Sequence, residues 1–126
     1  CATDITGFGL LGHAFHIARA SGITLEFETA RLPVLPGVRG LLELGCIPGG
    51  VFRNQTYVEK ATVFDIGGSQ VDRLLPLDPQ TSGGLLMLVS PDVAEPALAD
   101  LHAAGYSSAA MIGRSIPLQR HFLRVS

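Results

Sequence analysis

Residues Thr3 to His13 read TDITGFGLLGH, placing a carboxylate, Asp4, just ahead of three glycines, Gly7, Gly9 and Gly12. The glycines have the GxGxxG spacing of a dinucleotide-binding turn. Such a turn needs a hydrophobic strand before it, a βαβ unit around it and an acidic residue about 20 positions on. Here CATDIT stands in place of the strand, and the nearest downstream acids, Glu26 and Glu28, lie at the wrong distance in an alternating segment. A nicotinamide or flavin site is therefore not indicated. What remains is simpler physics: glycine allows close backbone approach, and the amides and dipole of a helix N-terminus favour an anion. The carboxylate of Asp4 would repel that anion unless a metal ion lay between them. Because Mg²⁺ commonly binds through one or two carboxylates plus substrate phosphates, the pattern points to Mg²⁺ and a nucleotide. The same residues allow a purely structural reading, in which Asp4 or Thr6 caps the helix and the glycines serve only the turn.

A second concentration of turn and phosphate-compatible residues is DPQTSGGLL, Asp78 to Leu86. Pro79 sets the turn, and Thr81, Ser82, Gly83 and Gly84 lead into an apolar run. Small polar residues and glycines there can line an anion site through backbone amides, or form a tight loop and nothing more. His13 and His16 fall at i, i+3 and could share a metal, but no further Cys or His cluster completes a site. Cys1 and Cys46 are the only cysteines, too few for a Cys-rich zinc site or a disulfide scaffold. Asn54, Gln55 and Thr56 form a glycosylation sequon that has no meaning without a secretory route.

The positioning framework must come from 126 residues that are 47% apolar and only 16% charged, enough for one domain with one core. Nine basic against eleven acidic residues, a net charge of −2, argue against a dedicated nucleic-acid binder, whose affinity depends on a basic surface. Arg114, Arg120, His121 and Arg124 make the last stretch locally basic, and without interleaved aromatics this reads as a solvated strand edge. No long apolar run suggests a membrane span, no secretory segment opens the chain, and the cytoplasm is the expected compartment. The chain starts abruptly without an initiator Met and reads as a piece of something longer.

Leu10, Ala14, Ile17 and Ala18 recur at helical spacing and predict a helix from Phe8 to Ala20, stopped by Gly22. A strand follows over Ile23 to Glu28, with Leu25 and Phe27 on one face. Pro33 and Pro36 mark a loop, Val38 to Leu44 a short helix, and Pro48-Gly49-Gly50 a break. Arg53 to Ala61 is weakly helical, and Ile66-Gly67-Gly68 separates it from a short apolar run at Val71 to Leu75. Leu85 to Val89 is continuously apolar, predicting a central strand buried on both faces. A helix is expected from Asp92 to Ala104, with Val93, Ala97, Leu98 and Leu101 on one face. Two last strands, Ala109 to Ile112 and His121 to Val125, are joined across Pro117. The order predicts an α+β fold, an α/β sandwich with a mixed sheet and flanking helices.

TDITGFGLLGH at 3 to 13, GGVFRN at 49 to 54 and DPQTSGGLL at 78 to 86 together closely resemble the selenophosphate synthetases, or selenide, water dikinases. The wider superfamily resembles aminoimidazole ribonucleotide synthetase and includes thiamine-monophosphate kinase. The resemblance covers the C-terminal domain only, from Cys1 to the end. It implies a two-domain, homodimeric enzyme that makes selenophosphate, AMP and phosphate from ATP, selenide and water. The catalytic Cys or selenocysteine, a nearby Lys and most of the ATP site would belong to an N-terminal domain, so this domain alone is expected to be inactive. Asp4 resembles the carboxylate that reaches a Mg²⁺ on the ATP phosphates. Thr3, Thr6, Gly7 and Gly9 would shape the turn presenting it, and Ser82, Gly83 and Gly84 would line the same cleft. Arg53 and Asn54 match a family pair read as structural, and Val51 replaces a Thr common in bacterial relatives. Three other readings stay open: a different ATP-dependent synthetase or kinase of the superfamily, a non-catalytic anion-binding or regulatory domain, and a purely structural domain for oligomer packing.

Overall fold

The computed structural model describes residues 1–126. Its elements, in order, are β1 (Ala2–Asp4), α1 (Gly9–Ser21), β2 (Ile23–Phe27), α2 (Val38–Glu43), α3 (Gly49–Val58), β3 (Thr62–Phe64), α4 (Gln70–Leu74), β4 (Leu85–Met87), α5 (Pro91–Ala103), β5 (Gly113–Pro117) and β6 (Leu123–Val125). Short 3₁₀ turns at Thr29–Arg31, Glu59–Ala61 and Leu75–Leu77 join them. The fold is the expected mixture of helices and mixed sheet. No helix is long and apolar enough to cross a membrane.

Four strands form a sheet in the order β3-β6-β2-β5, with β6 parallel to both β2 and β3, and β5 antiparallel to β2. Its inner face carries Leu25, Phe27, Leu123 and Val125, all buried against α1. The helix contributes Leu11, Ala14 and Ala18 to the core, so the buried stripe is turned slightly from the expected one, and Leu10 and Ile17 flank it. Gly22, at φ 65°, donates its N–H to the Ala18 carbonyl and ends the helix as predicted. The other sheet face is polar. Glu26 pairs with Arg114 at 2.7 Å and Arg124 at 3.6 Å, and Arg124 reaches Asp65 at 3.5 Å. Two of the locally basic residues are thus neutralised across strands, one of them on an inner strand.

The apolar run at Leu85–Val89 is not the central strand that its composition suggested. Only Leu85–Met87 is strand, and it pairs antiparallel with β1 alone, in a separate two-stranded sheet. Leu86 is buried while Leu85 and Met87 are 69% and 43% exposed. Continuous apolarity implies two-sided burial only where both faces find cover, and here one does not. The missing cover belongs to α5, which turns Ala97, Leu98 and Leu101 inward as predicted but has Ala94 in place of Val93, itself 42% exposed; it buries no residue fully and leaves an open groove of about 910 Å³ beside β4 and β5.

Two boundaries also move. Pro48-Gly49-Gly50 opens α3 instead of breaking the chain, because Gly50 takes the Pro79 ring, which a Cβ would meet at 2.8 Å. The strand expected at Ala109–Ile112 forms instead at Gly113–Pro117, with Pro117 its last residue and not a linker. Pairing with β2 sets that register: Gly113 lies opposite Phe27, where a Cβ would run into the Glu26 carbonyl. At only three residues, β3 had no periodic signal of its own.

Candidate functional site

The strand β1 runs directly into the glycine turn, and its pairing brings the two sequence constellations together. Asp4 lies opposite Leu85 in the β1–β4 register, and the Ile5 N–H donates to the Gly84 carbonyl at 2.9 Å. Gly83 packs so closely on Ile5 that a Cβ there would collide with the Ile5 carbonyl. The next carbonyl, that of Thr6, accepts from Gly9 at 3.0 Å and from Gln80 at 3.1 Å. Asp4, Thr6, Gly9, Gly83 and Gly84 therefore share one edge of the molecule. Thr3 flanks Asp4 on β1, and Ser82 stands exposed at the adjoining loop.

The glycines divide by role. Gly9, at φ +66°, begins α1, and a Cβ on it would lie 2.8–3.0 Å from the backbone of Leu77 and Asp78. Only glycine satisfies both conditions. Gly12 admits the Phe8 side chain, which a Cβ would meet at 2.6 Å, whereas Gly7 faces open space. The spacing that imitates a dinucleotide turn is thus partly a packing requirement within the chain. No βαβ unit surrounds it, since β1 and β2 belong to different sheets and do not pair.

The GGVFRN segment supplies the clamp. Asn54, 5% exposed, donates from Nδ2 to the Gly7 carbonyl at 3.0 Å and to the Leu77 carbonyl at 2.9 Å. One amide thereby ties α3 to both the glycine turn and the approach to DPQTSGGLL. The structural role expected of Asn54 is thus a bond to two backbone carbonyls distant in sequence. Val51 is fully buried in the core, so a hydroxyl at this position would face apolar packing and not the cleft. Arg53 is exposed.

Asp4 is the unengaged group. Its carboxylate makes no hydrogen bond, since the Thr3 hydroxyl donates to the Asp4 backbone carbonyl at 3.2 Å, and none of the five ion pairs includes it. It does not cap α1. The N-cap is Phe8, with no side-chain cap bond, and the Thr6 hydroxyl is directed to His13, so the capping alternative fails for both residues. No group of three or more His, Cys, Asp or Glu side chains assembles anywhere in the chain. The donor set fits half of a magnesium site: one exposed carboxylate with both oxygens open, requiring phosphate, water or carboxylate oxygens from elsewhere. His13 and His16 do not form a metal pair. Their rings stand 6.3 Å apart, and the Nε2 atoms engage Thr6 and the Tyr57 hydroxyl respectively.

Asp78, absent from the sequence-derived site, borders this edge behind Gly9. Partial burial pushes its carboxyl above the usual aspartate value, against a 2.6 Å bond from Gln80 Nε2 that favours the charged form.

Curated proteins of one named activity match most of this chain. A selenide, water dikinase of Porphyromonas gingivalis is 50% identical over 113 residues, covering 89% of this chain and 32% of that protein. One from Caldanaerobacter subterraneus subsp. tengcongensis is 44% identical over 112 residues, again 89% and 32%. One from Clostridioides difficile is 39% identical over 124 residues, covering 98% of this chain and 35% of its own. The chain thus spans about a third of the length of the curated relatives it matches. The model of the AIR synthase related protein C-terminal domain matches residues 1–126, and the chain belongs to that family.

Proposed function

We propose that these residues are the C-terminal domain of a selenide, water dikinase, converting ATP, selenide and water to selenophosphate, AMP and phosphate. The observation that carries the reading is Asp4: a carboxylate without a partner, presented where three motif segments interlock. Relatives named for that activity supply the reaction class. In this reading Asp4 is one ligand of a Mg²⁺ on the ATP phosphates, and the metal supplies charge neutralisation during phosphoryl transfer. The chain's own contribution is positional. Pairing of β1 with β4 sets the direction of Asp4, the open space at Gly7 leaves backbone room for phosphate, and Ser82, Gly83 and Gly84 line the same side. The nucleophile, the rest of the nucleotide site and the second protomer of a cytoplasmic homodimer belong to the remainder of the enzyme, chiefly its N-terminal domain. Contributing one ligand from a separate domain would couple domain closure to catalysis.

Replacing Asp4 by Asn in the full-length enzyme tests this. Selenide-dependent AMP formation at saturating Mg²⁺ should fall by at least about 100-fold, the scale of removing one electrostatic contact to a transition state. Unchanged turnover would refute the role. The broader family allows another ATP-dependent synthetase or kinase, and ATP turnover independent of selenide would favour it.

A further inference from the structure

We infer that His13 is a positioning residue: its neutral ring, protonated on Nδ1, accepts the Thr6 backbone N–H and so holds the turn that carries Asp4. The Thr6 N–H donates to His13 Nε2 at 3.1 Å. A backbone amide can only donate, so Nε2 must offer its lone pair and the ring proton must reside on Nδ1. The Thr6 hydroxyl lies 2.9 Å from the same nitrogen. An Nε2-protonated ring could donate to that hydroxyl, but only by setting its N–H against the Thr6 backbone N–H and leaving the amide without an acceptor.

The contact closes a loop of constraints around a single residue. The Thr6 carbonyl is held by Gly9 and Gln80, the preceding Ile5 is buried in the core, and His13 takes the one remaining backbone group. The Phe8 ring packs edge-on against the imidazole, at 5.9 Å between centroids and 76° between planes, fixing its orientation. Without an acceptor at position 13, the Thr6 N–H would lose its partner in a part-buried site, and β1 would join α1 through a looser turn. The effect on Asp4 rests on the proposed function, whereas the hydrogen bond does not.

The experiment therefore has two arms. In the full-length enzyme with histidine ring nitrogens labelled, NMR should find the His13 ring protonated on Nδ1, and amide exchange should find Thr6 protected. Exchange at Thr6 should quicken by about fivefold to tenfold in His13→Phe, the loss of one hydrogen bond, and return to near wild type in His13→Gln, whose amide oxygen can accept. A ring protonated on Nε2, a reading that needs no variant to fold, would overturn the inference, as would unchanged Thr6 exchange in a folded His13→Phe. In the full-length enzyme, His13→Phe should raise the KM for Mg-ATP by about fivefold, with rescue by His13→Gln. An unaltered KM and kcat in His13→Phe would remove the positioning role, while the Asp4→Asn result judges the metal assignment separately.

Discussion

Asn54→Ala tests whether the motif segments are held as one unit. The side chain is almost wholly buried and satisfies two carbonyls at 3.0 and 2.9 Å, so truncation removes two hydrogen bonds at once. The costs differ at the two ends. Gly7 is exposed and its carbonyl can recover a water, which limits that loss to about 1 kcal/mol. Leu77 is fully buried, and its carbonyl would be left without this donor, at about 1–3 kcal/mol. The sum, about 2–4 kcal/mol, is a large share of the roughly 5–15 kcal/mol typical of a folded domain. Urea unfolding followed by circular dichroism should show the midpoint lowered with an unchanged slope. Asn54→Asp is the matching control, since an ionised carboxylate has no proton to donate and faces two carbonyl oxygens. It should be destabilised at least as much at neutral pH, although its volume is preserved. A loss below about 0.5 kcal/mol in Asn54→Ala, or a tolerated Asn54→Asp, would refute the clamp.

Two other substitutions probe the same edge. Gly9→Ala should cost more than about 2 kcal/mol in thermal or urea unfolding, because a left-handed φ adds to a collision with the Leu77 and Asp78 backbone. Gly7→Ala, facing open space, should stay within about 0.5 kcal/mol, and equal effects at the two positions would contradict the division of roles. Asp78→Asn should stabilise the chain at pH 7. The folded carboxyl is raised above the unfolded value of 3.8, so its contribution is present below that value and lost as pH rises through the folded pKa. The advantage of Asp78→Asn should disappear below pH 3.8, and a lower melting temperature for the variant at pH 7 would contradict the assignment.

Much of the framework was legible because it depends on local chemistry. The first helix and its Gly22 stop, the second strand with Leu25 and Phe27 inward, and the fifth helix with Pro91 at its start and Gly105 after it all follow from periodicity and turn residues. The failures involve partners. The Leu85–Val89 run reads as a sheet centre, which instead falls to β6 and β2, and the Gly49-Gly50 pair reads as a break where Gly50 makes room for Pro79. Nothing within a short apolar run states which strand pairs with it or whether a helix covers its second face.

The same boundary runs through the site. From the residues alone came the chemical types: a carboxylate ahead of a glycine turn, a second loop of glycines and hydroxyls, and the family that joins them in this order. The tertiary structure decided that the segments interlock, that Asn54 and His13 hold the turn, and that Asp4 is left without a partner. Spacing specifies what a residue can do within a few positions of itself. A clamp between residues 54, 7 and 77 exists only after the core has brought distant backbone groups within hydrogen-bonding distance.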